Sequence, residues 1–117
     1  MSDAAKADTV RTRSIGQPGR ALSSARTQHF ILDSSSGPSE ALTNTEAFLA
    51  GISSCGVTLI EKYAQDAGVP VTGMEVTIAG IRGAAGQPRF EAIEIRFDIH
   101  GVDQAEAARL VGIWQDR

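Results

Sequence analysis

The order of patterns in this 117-residue chain predicts an α+β domain in which an antiparallel sheet packs on one long central helix. Three observations carry that prediction. The stretch TNTEAFLAGISSCGVTLIEKYAQDAG, Thr43 to Gly68, holds apolar residues at helical spacing. The run from Arg89 to His100 alternates apolar and polar residues, as a strand with one buried face does. Shorter β-type runs precede the long helix, and a second helical pattern closes the chain.

Residues 1 to about 8 are small and polar and are expected to fray. Thr9 to Ser14 alternates β-branched and basic residues and reads as a strand. Gly16-Gln17-Pro18-Gly19 signals a turn, with Arg20 directly after it. Ala21 to Asp33 reads as one further strand whose apolar part is Phe30, Ile31 and Leu32. Ser34 to Pro38 is a loop feeding the helix.

Within the helix, Phe48, Ile52, Cys55, Leu59 and Tyr63 share one face, and Leu49 and Ile60 widen it. Most of the helix should therefore be covered by other structure. Thr43 and Glu46 have the spacing of a capping box, in which hydroxyl and carboxylate each satisfy an early backbone N–H. Gly68 supplies a left-handed stop and Pro70 forbids continuation. Around Cys55 the residues are small: Ala50, Gly51, Ser53, Ser54 and Gly56. Each interior glycine costs about 1 kcal/mol relative to alanine, so two of them require a reason. Close approach by another backbone is one; room around the sulfur for a small substrate is another.

After the helix, Val71 to Arg82 alternates, with Met74, Val76 and Ile78 on one side and Glu75 and Thr77 on the other. A loop from Gly83 to Pro88 leads to the second alternating run, where Ile93, Ile95, Phe97 and Ile99 oppose Glu94, Arg96, Asp98 and His100. Asp103 and Glu106 open a last helix with Ala107, Leu110, Val111 and Trp114 on its apolar side.

Length and composition bound what this chain does. A chain of 117 residues is expected to form a single domain, 1–117, that hides roughly two thirds of its unfolded surface. Hydrophobic and charged fractions of 42% and 21% are ordinary for a globular protein. A net charge of −3 argues against nonspecific binding to nucleic acid or anionic membranes. No apolar run is long enough to span a bilayer, and the opening MSDAAKADTV does not read as a signal peptide. One cysteine excludes an internal disulfide framework and suits a reducing cytoplasm. With only His29 and His100 beside it, no metal-site spacing exists, and no cofactor is expected.

The lone thiol is the candidate for chemistry. The base rate for such a cysteine is a small hydrophobe without reactivity. Reactivity needs the thiolate, and an unperturbed thiol with pKa near 8.5 is mostly protonated at neutral pH. Cys55 lies about three turns into its helix, beyond the reach of the helix dipole. A nearby cation is required, and Arg11, Arg13, Arg20 and Arg26 supply candidates.

Gly37-Pro38, then Thr45 to Cys55 (TEAFLAGISSC), Ala67-Gly68-Val69, the strand from Met74, and Arg89-Phe90 with its alternating run together resemble the OsmC/Ohr family. These are osmotically induced and organic-hydroperoxide-resistance proteins, and the resemblance runs from about Ala21 to Trp114. It implies an intertwined homodimer with the peroxidatic cysteine on the long helix. It also implies a thiol peroxidase that reduces organic hydroperoxides in oxidative stress defence, through a sulfenic acid reopened by an external thiol or dithiol. On this resemblance Cys55 is the attacking thiol and Arg20, in a Gly-Arg pair, is the arginine that keeps it ionised. Glu46 is the nearest counterpart of the family's helix glutamate, which stands one place earlier, where this chain has Thr45. That offset favours a capping role for Glu46. The resemblance further implies a resolving cysteine on or just after the final helix. The sequence given reaches Arg117 without one, so it is either a fragment or a member lacking that thiol.

The sequence also admits three rival readings. A noncatalytic homodimer would use Cys55 for packing and its dimer cavity for a small apolar ligand. Gly83-Ala84-Ala85-Gly86 matches the GXXG loop of KH domains, but it joins two strands in an acidic protein, and a hairpin turn accounts for it. A Cys-His acyl transferase would need a histidine beside Cys55, and His29 and His100 both fall in strands.

Overall fold

The structure, a computed structural model, describes residues 5–84 and 89–116. The fraying expected of residues 1–4, loop positions 85–88 with half of the GXXG pattern, and the final Arg117 lie outside the described residues. The elements are β1 (Arg11–Ser14), β2 (Arg20–Ala25), β3 (Gln28–Asp33), α1 (Asn44–Ala67), β4 (Gly73–Ile81), β5 (Ala92–His100) and α2 (Gln104–Gln115). This is the predicted α+β order, with two separate antiparallel sheets in place of one. The chain divides into two compact units, the first ending at Ala47 and the second starting at Phe48.

The first unit is the three-stranded sheet β1-β2-β3 with the loop that leads into α1. The run from Ala21 to Asp33, read from sequence as one strand, is a hairpin: β2 and β3 pair antiparallel from Ala25↔Gln28 to Arg20↔Asp33. Arg26 turns the chain with φ of 56°, a left-handed conformation that a two-residue hairpin turn demands. Glycine or asparagine usually marks such a position, and Arg26-Thr27 carries neither signal. At the other end of β2, Gly19 has φ of 80°, and a Cβ there would stand 2.6 Å from the Cα of Gly37. The Ser34 N–H donates to the Gly19 carbonyl at 2.7 Å, and the Asp33 N–H to the Leu42 carbonyl at 2.9 Å. The start of β2 and the loop before α1 are thereby tied together.

The second unit packs the rest of α1 against the β4–β5 hairpin and α2. The hairpin pairs Gly73↔His100 through Ile81↔Ala92. Met74, Val76, Ile78, Ile95, Phe97 and Ile99 are half-buried on one face, and Glu75, Thr77, Glu94, Arg96 and Asp98 are exposed on the other. Ile60, Ala64 and Leu110 form the buried centre, ringed by Val69, Val71, Met74, Phe97, Ile99, Val111 and Trp114. Both helix ends follow the sequence signals. The Thr43 N–H donates to Glu46 Oε1 at 2.9 Å, and the Glu46 N–H to Thr43 Oγ1 at 3.1 Å. Gly68, at φ of 69°, closes α1 as the Val69 N–H reaches back to the Ala64 carbonyl and the Gly68 N–H to that of Gln65. In α2 the Glu106 N–H donates to Asp103 Oδ1, while the Glu106 carboxylate pairs with Arg109.

The covered line on α1 runs along the edge that Ile60 adds to the predicted face. Gly56, Ile60 and Ala64 are its buried residues, with Ile52, Leu59 and Tyr63 half-buried beside them. Cys55 is exposed and Phe48 is 58% exposed. The reason is aromatic. Phe97 and Trp114 meet edge to face, their ring centroids 5.4 Å apart, and they press on the helix at Gly56. A Cβ on Gly56 would lie 3.1 Å from the Phe97 ring and 3.4 Å from Trp114. Side chains, not a second backbone, require this glycine. Gly51 meets nothing within 4 Å.

Truncating Ile60, fully enclosed at 0% exposure, should leave a cavity at the centre of the second unit. Ile60→Ala is expected to cost about 2–5 kcal/mol, read as a lowered midpoint in equilibrium urea unfolding.

Candidate functional site

Cys55 stands on α1 about three turns beyond its first residue, where the dipole of the helix terminus has faded. Its neighbours are occupied with the helix itself. Ser53 Oγ donates to the Leu49 and Ala50 carbonyls, both at 3.2 Å, and Thr58 Oγ1 donates to that of Ser54 at 3.1 Å. These hydroxyls spend their protons on backbone carbonyls, which leaves small, self-satisfied side chains flanking an exposed thiol. A compact reagent can reach the sulfur.

Arg20, the first residue of β2, lies directly across the hairpin from Asp33. The guanidinium grips that carboxylate with both ends of its fork: Nε donates to Oδ1 at 2.7 Å and Nη2 to Oδ2 at 3.0 Å. Nη2 also donates to Glu40 Oε1 at 3.1 Å. Asp33 is fully buried and takes two further hydrogen bonds on Oδ2, from the Glu40 and Ala41 N–H groups, each at 2.9 Å. One carboxylate therefore receives four donors. The Arg20 hydrogen bond holds the Asp33 carboxyl well below the usual carboxylate range; burial opposes this, and the two backbone donors reinforce it. In return, the Asp33 hydrogen bond raises the Arg20 pKa further above its already high value, and Glu40 adds to the effect.

The predicted site residues fall as follows. Arg20 and Glu46 belong to the first unit and Cys55 to the second. Glu46 is engaged in the capping box with Thr43, the role its offset favours. Asp33 and Glu40 escaped the sequence reading. Reading Ala21 to Asp33 as one strand concealed the register that sets Asp33 opposite Arg20; the available signal was an acidic residue ending the apolar run Phe30-Ile31-Leu32. His29, exposed on β3, is bonded through Nδ1 to Ser24 Oγ at 2.7 Å, and His100 is exposed at the end of β5. Among the described residues no group of three or more His, Cys, Asp or Glu is arranged to hold a metal ion, and no helix is long and apolar enough to cross a membrane.

The model of OsmC-like proteins matches residues 37–117, well over half of the chain. The chain belongs to the OsmC family. Solved structures share the fold at low identity. An OsmC-like protein from Mycoplasma pneumoniae superposes with a TM-score of 0.82 at 14% identity, covering 96% of this chain and 82% of the other. An organic hydroperoxide resistance protein OsmC from Legionella pneumophila gives 0.71 at 19% identity, covering 97% and 85%. The organic hydroperoxide resistance protein OhrB of Bacillus subtilis gives 0.65 at 16% identity, covering 95% and 84%. No curated protein matches the sequence. In this OsmC-family chain, the match includes the cysteine-bearing helix and begins at Gly37, the residue packed on Gly19.

The Arg20–Asp33 pair should leave a signature in acid stability. Because the folded state holds Asp33 below its ordinary pKa of about 3.9, folded protein takes up this proton less readily than the unfolded chain. The pair's contribution is fully present above that ordinary value and is lost as pH falls through the lower folded one. Unfolding midpoints measured from pH 7 to pH 2 should therefore drop below about pH 4 in the native chain. Asp33→Asn should be less stable at neutral pH and should lack that part of the acid slope.

Proposed function

We propose that this chain is a thiol-dependent peroxidase that reduces organic hydroperoxides in oxidative stress defence. The observation that carries the reading is an exposed cysteine, flanked by small residues, in the middle of the long helix of an OsmC-family fold. Two neighbours in fold are named as organic hydroperoxide resistance proteins, which supports the substrate class.

The Cys55 thiolate attacks the terminal oxygen of the hydroperoxide, and an S–O bond forms as the O–O bond breaks. Sulfur loses two electrons to the peroxide, leaving a sulfenic acid and an alkoxide that takes a proton to become the alcohol. A dithiol reductant supplied from outside restores the enzyme. Its first thiol condenses with the sulfenic acid, releasing water and forming a mixed disulfide; its second displaces the Cys55 thiolate and leaves as a disulfide. Glu46 contributes by capping the helix that carries Cys55, without itself touching the reacting atoms. No bound cofactor takes part, and the reaction runs in the reducing cytoplasm.

The working form is a homodimer. The second unit leaves Phe48, Ile81 and Ile93 39–58% exposed, and the first leaves Phe30 and Ile31 41–45% exposed. A second copy covers such apolar surface. Sedimentation at micromolar concentration should give twice the monomer mass.

A second reading has one observation in its favour. The charge of Arg20 is already matched by Asp33, which suits a noncatalytic homodimer in which the dimer cavity takes a small apolar ligand. Turnover separates the two. Supplied with cumene hydroperoxide and dithiothreitol, the native chain should consume peroxide, and Cys55→Ser should lose at least about a hundredfold in rate. Equal rates in the two proteins would remove the peroxidase reading.

A further inference from the structure

We propose that the open edge of β1 is a docking site for an acidic peptide in extended conformation, which adds to the sheet of the first unit as a further strand. β1 ends the β1-β2-β3 sheet, so one side of its backbone pairs with β2 and the other meets no strand among the described residues. All four of its residues are exposed. A bare sheet edge is a row of unpaired N–H and C=O groups that templates another strand, and peptide recognition by strand addition uses such a row. The observations lie wholly within the first unit and stand apart from the chemistry of Cys55.

Charge selects the occupant. Arg11 and Arg13, two residues apart, share one face of β1. The register sets Ser24 and His29 in the row of Arg11, and Leu22 and Ile31 in the row of Arg13. The hydrogen bond between Ser24 and His29 at 2.7 Å marks this face, and that between Thr12 and Ser23 at 2.8 Å marks the opposite one. Neither Arg11 nor Arg13 has an ion-pair partner among the described residues. Between positions 11 and 33 the chain carries Arg11, Arg13, Arg20 and Arg26 against a single carboxylate, Asp33, which Arg20 already grips. Positive charge is thus concentrated on this edge of a chain whose net charge is −3.

A second copy of this chain is a poor occupant. Antiparallel self-pairing of β1 about Thr12 sets Arg11 opposite Arg13 twice over, and parallel self-pairing in register sets each arginine against itself. Like charges directly opposite destabilise a sheet. The other strands fit no better. No strand among the described residues carries two carboxylates at successive positions of one face, since Arg96 separates Glu94 from Asp98 on β5. The occupant is therefore a segment of another protein with Asp or Glu at positions i and i+2. That spacing, about 6.8 Å in an extended chain, matches the spacing of Arg11 and Arg13.

The probe is a blocked peptide of about seven residues alternating glutamate with threonine, and a lysine–threonine peptide of the same length is the control. Binding to the native chain at low salt, read by fluorescence anisotropy, should favour the glutamate peptide by at least about tenfold. The doubly substituted chain, Arg11→Glu with Arg13→Glu, should reverse that preference, with circular dichroism checking its fold. Strand addition also needs the backbone of the peptide. A glutamate peptide N-methylated at every residue keeps its charges and loses its donors, so it should bind at least about tenfold more weakly. Equal binding of the glutamate and lysine peptides would mean that the arginines only guard the edge against self-association. Equal binding of the methylated and unmethylated peptides would mean a diffuse charge contact. Either result overturns the proposal. Failure of the glutamate peptide to bind overturns it as well, and slow hydrogen exchange of the β1 amides in the free chain would then show a second copy covering the edge.

Discussion

A carboxylate removed from water must be compensated, and in this protein that constraint organises the first unit. Asp33 is fully buried, and an isolated charge there would be costly enough to take up a proton instead. It stays ionised because four donors converge on it, two from Arg20 and two from backbone N–H groups of the loop leading to α1. Satisfying one side chain therefore fixes three things together: the register of the β2–β3 hairpin, the path of residues 37–43 and the direction of Arg20. The bare backbones of Gly19 and Gly37 make the arrangement possible, since a side chain at either would force the two segments apart.

The second unit obeys a different constraint, the fit of flat rings against a helix. Phe97 and Trp114 need a flat place to land, and Gly56 provides it. That contact sets which line of α1 faces the hairpin and α2: Gly56, Ile60 and Ala64 turn inward. Cys55, one residue and about 100° around the helix from Gly56, is left exposed as a consequence. The small residues near the thiol thus divide into one glycine required for packing and others that leave the sulfur approachable.

Much of this was legible in the sequence. The long helix, its capping box, its glycine stop and the β4–β5 pair were readable because each rests on short-range spacing: Thr43 with Glu46, Gly68 before Pro70, and the alternation from Ile93 to Ile99. The β2–β3 hairpin was not, because Arg26 adopts a left-handed turn without the residue types that usually announce one. Losing that turn also lost Asp33, whose importance depends on a strand register across thirteen residues. The buried face of α1 was legible only along its Ile60 edge. Hydrophobicity singled out Phe48, Ile52, Cys55, Leu59 and Tyr63, with Leu49 and Ile60 widening the face; shape turned Gly56, Ile60 and Ala64 inward, and of these only Ile60 carries a strong hydrophobic signal.

The central claim is that the Cys55 sulfur, and not merely the fold around it, meets the peroxide. The most direct measurement treats the folded chain with one equivalent of cumene hydroperoxide in the presence of dimedone, followed by peptide mass spectrometry. A dimedone adduct on the peptide containing Cys55, formed within seconds and absent without peroxide, is the predicted result. A peptide recovered with its thiol unmodified after full exposure would contradict the claim.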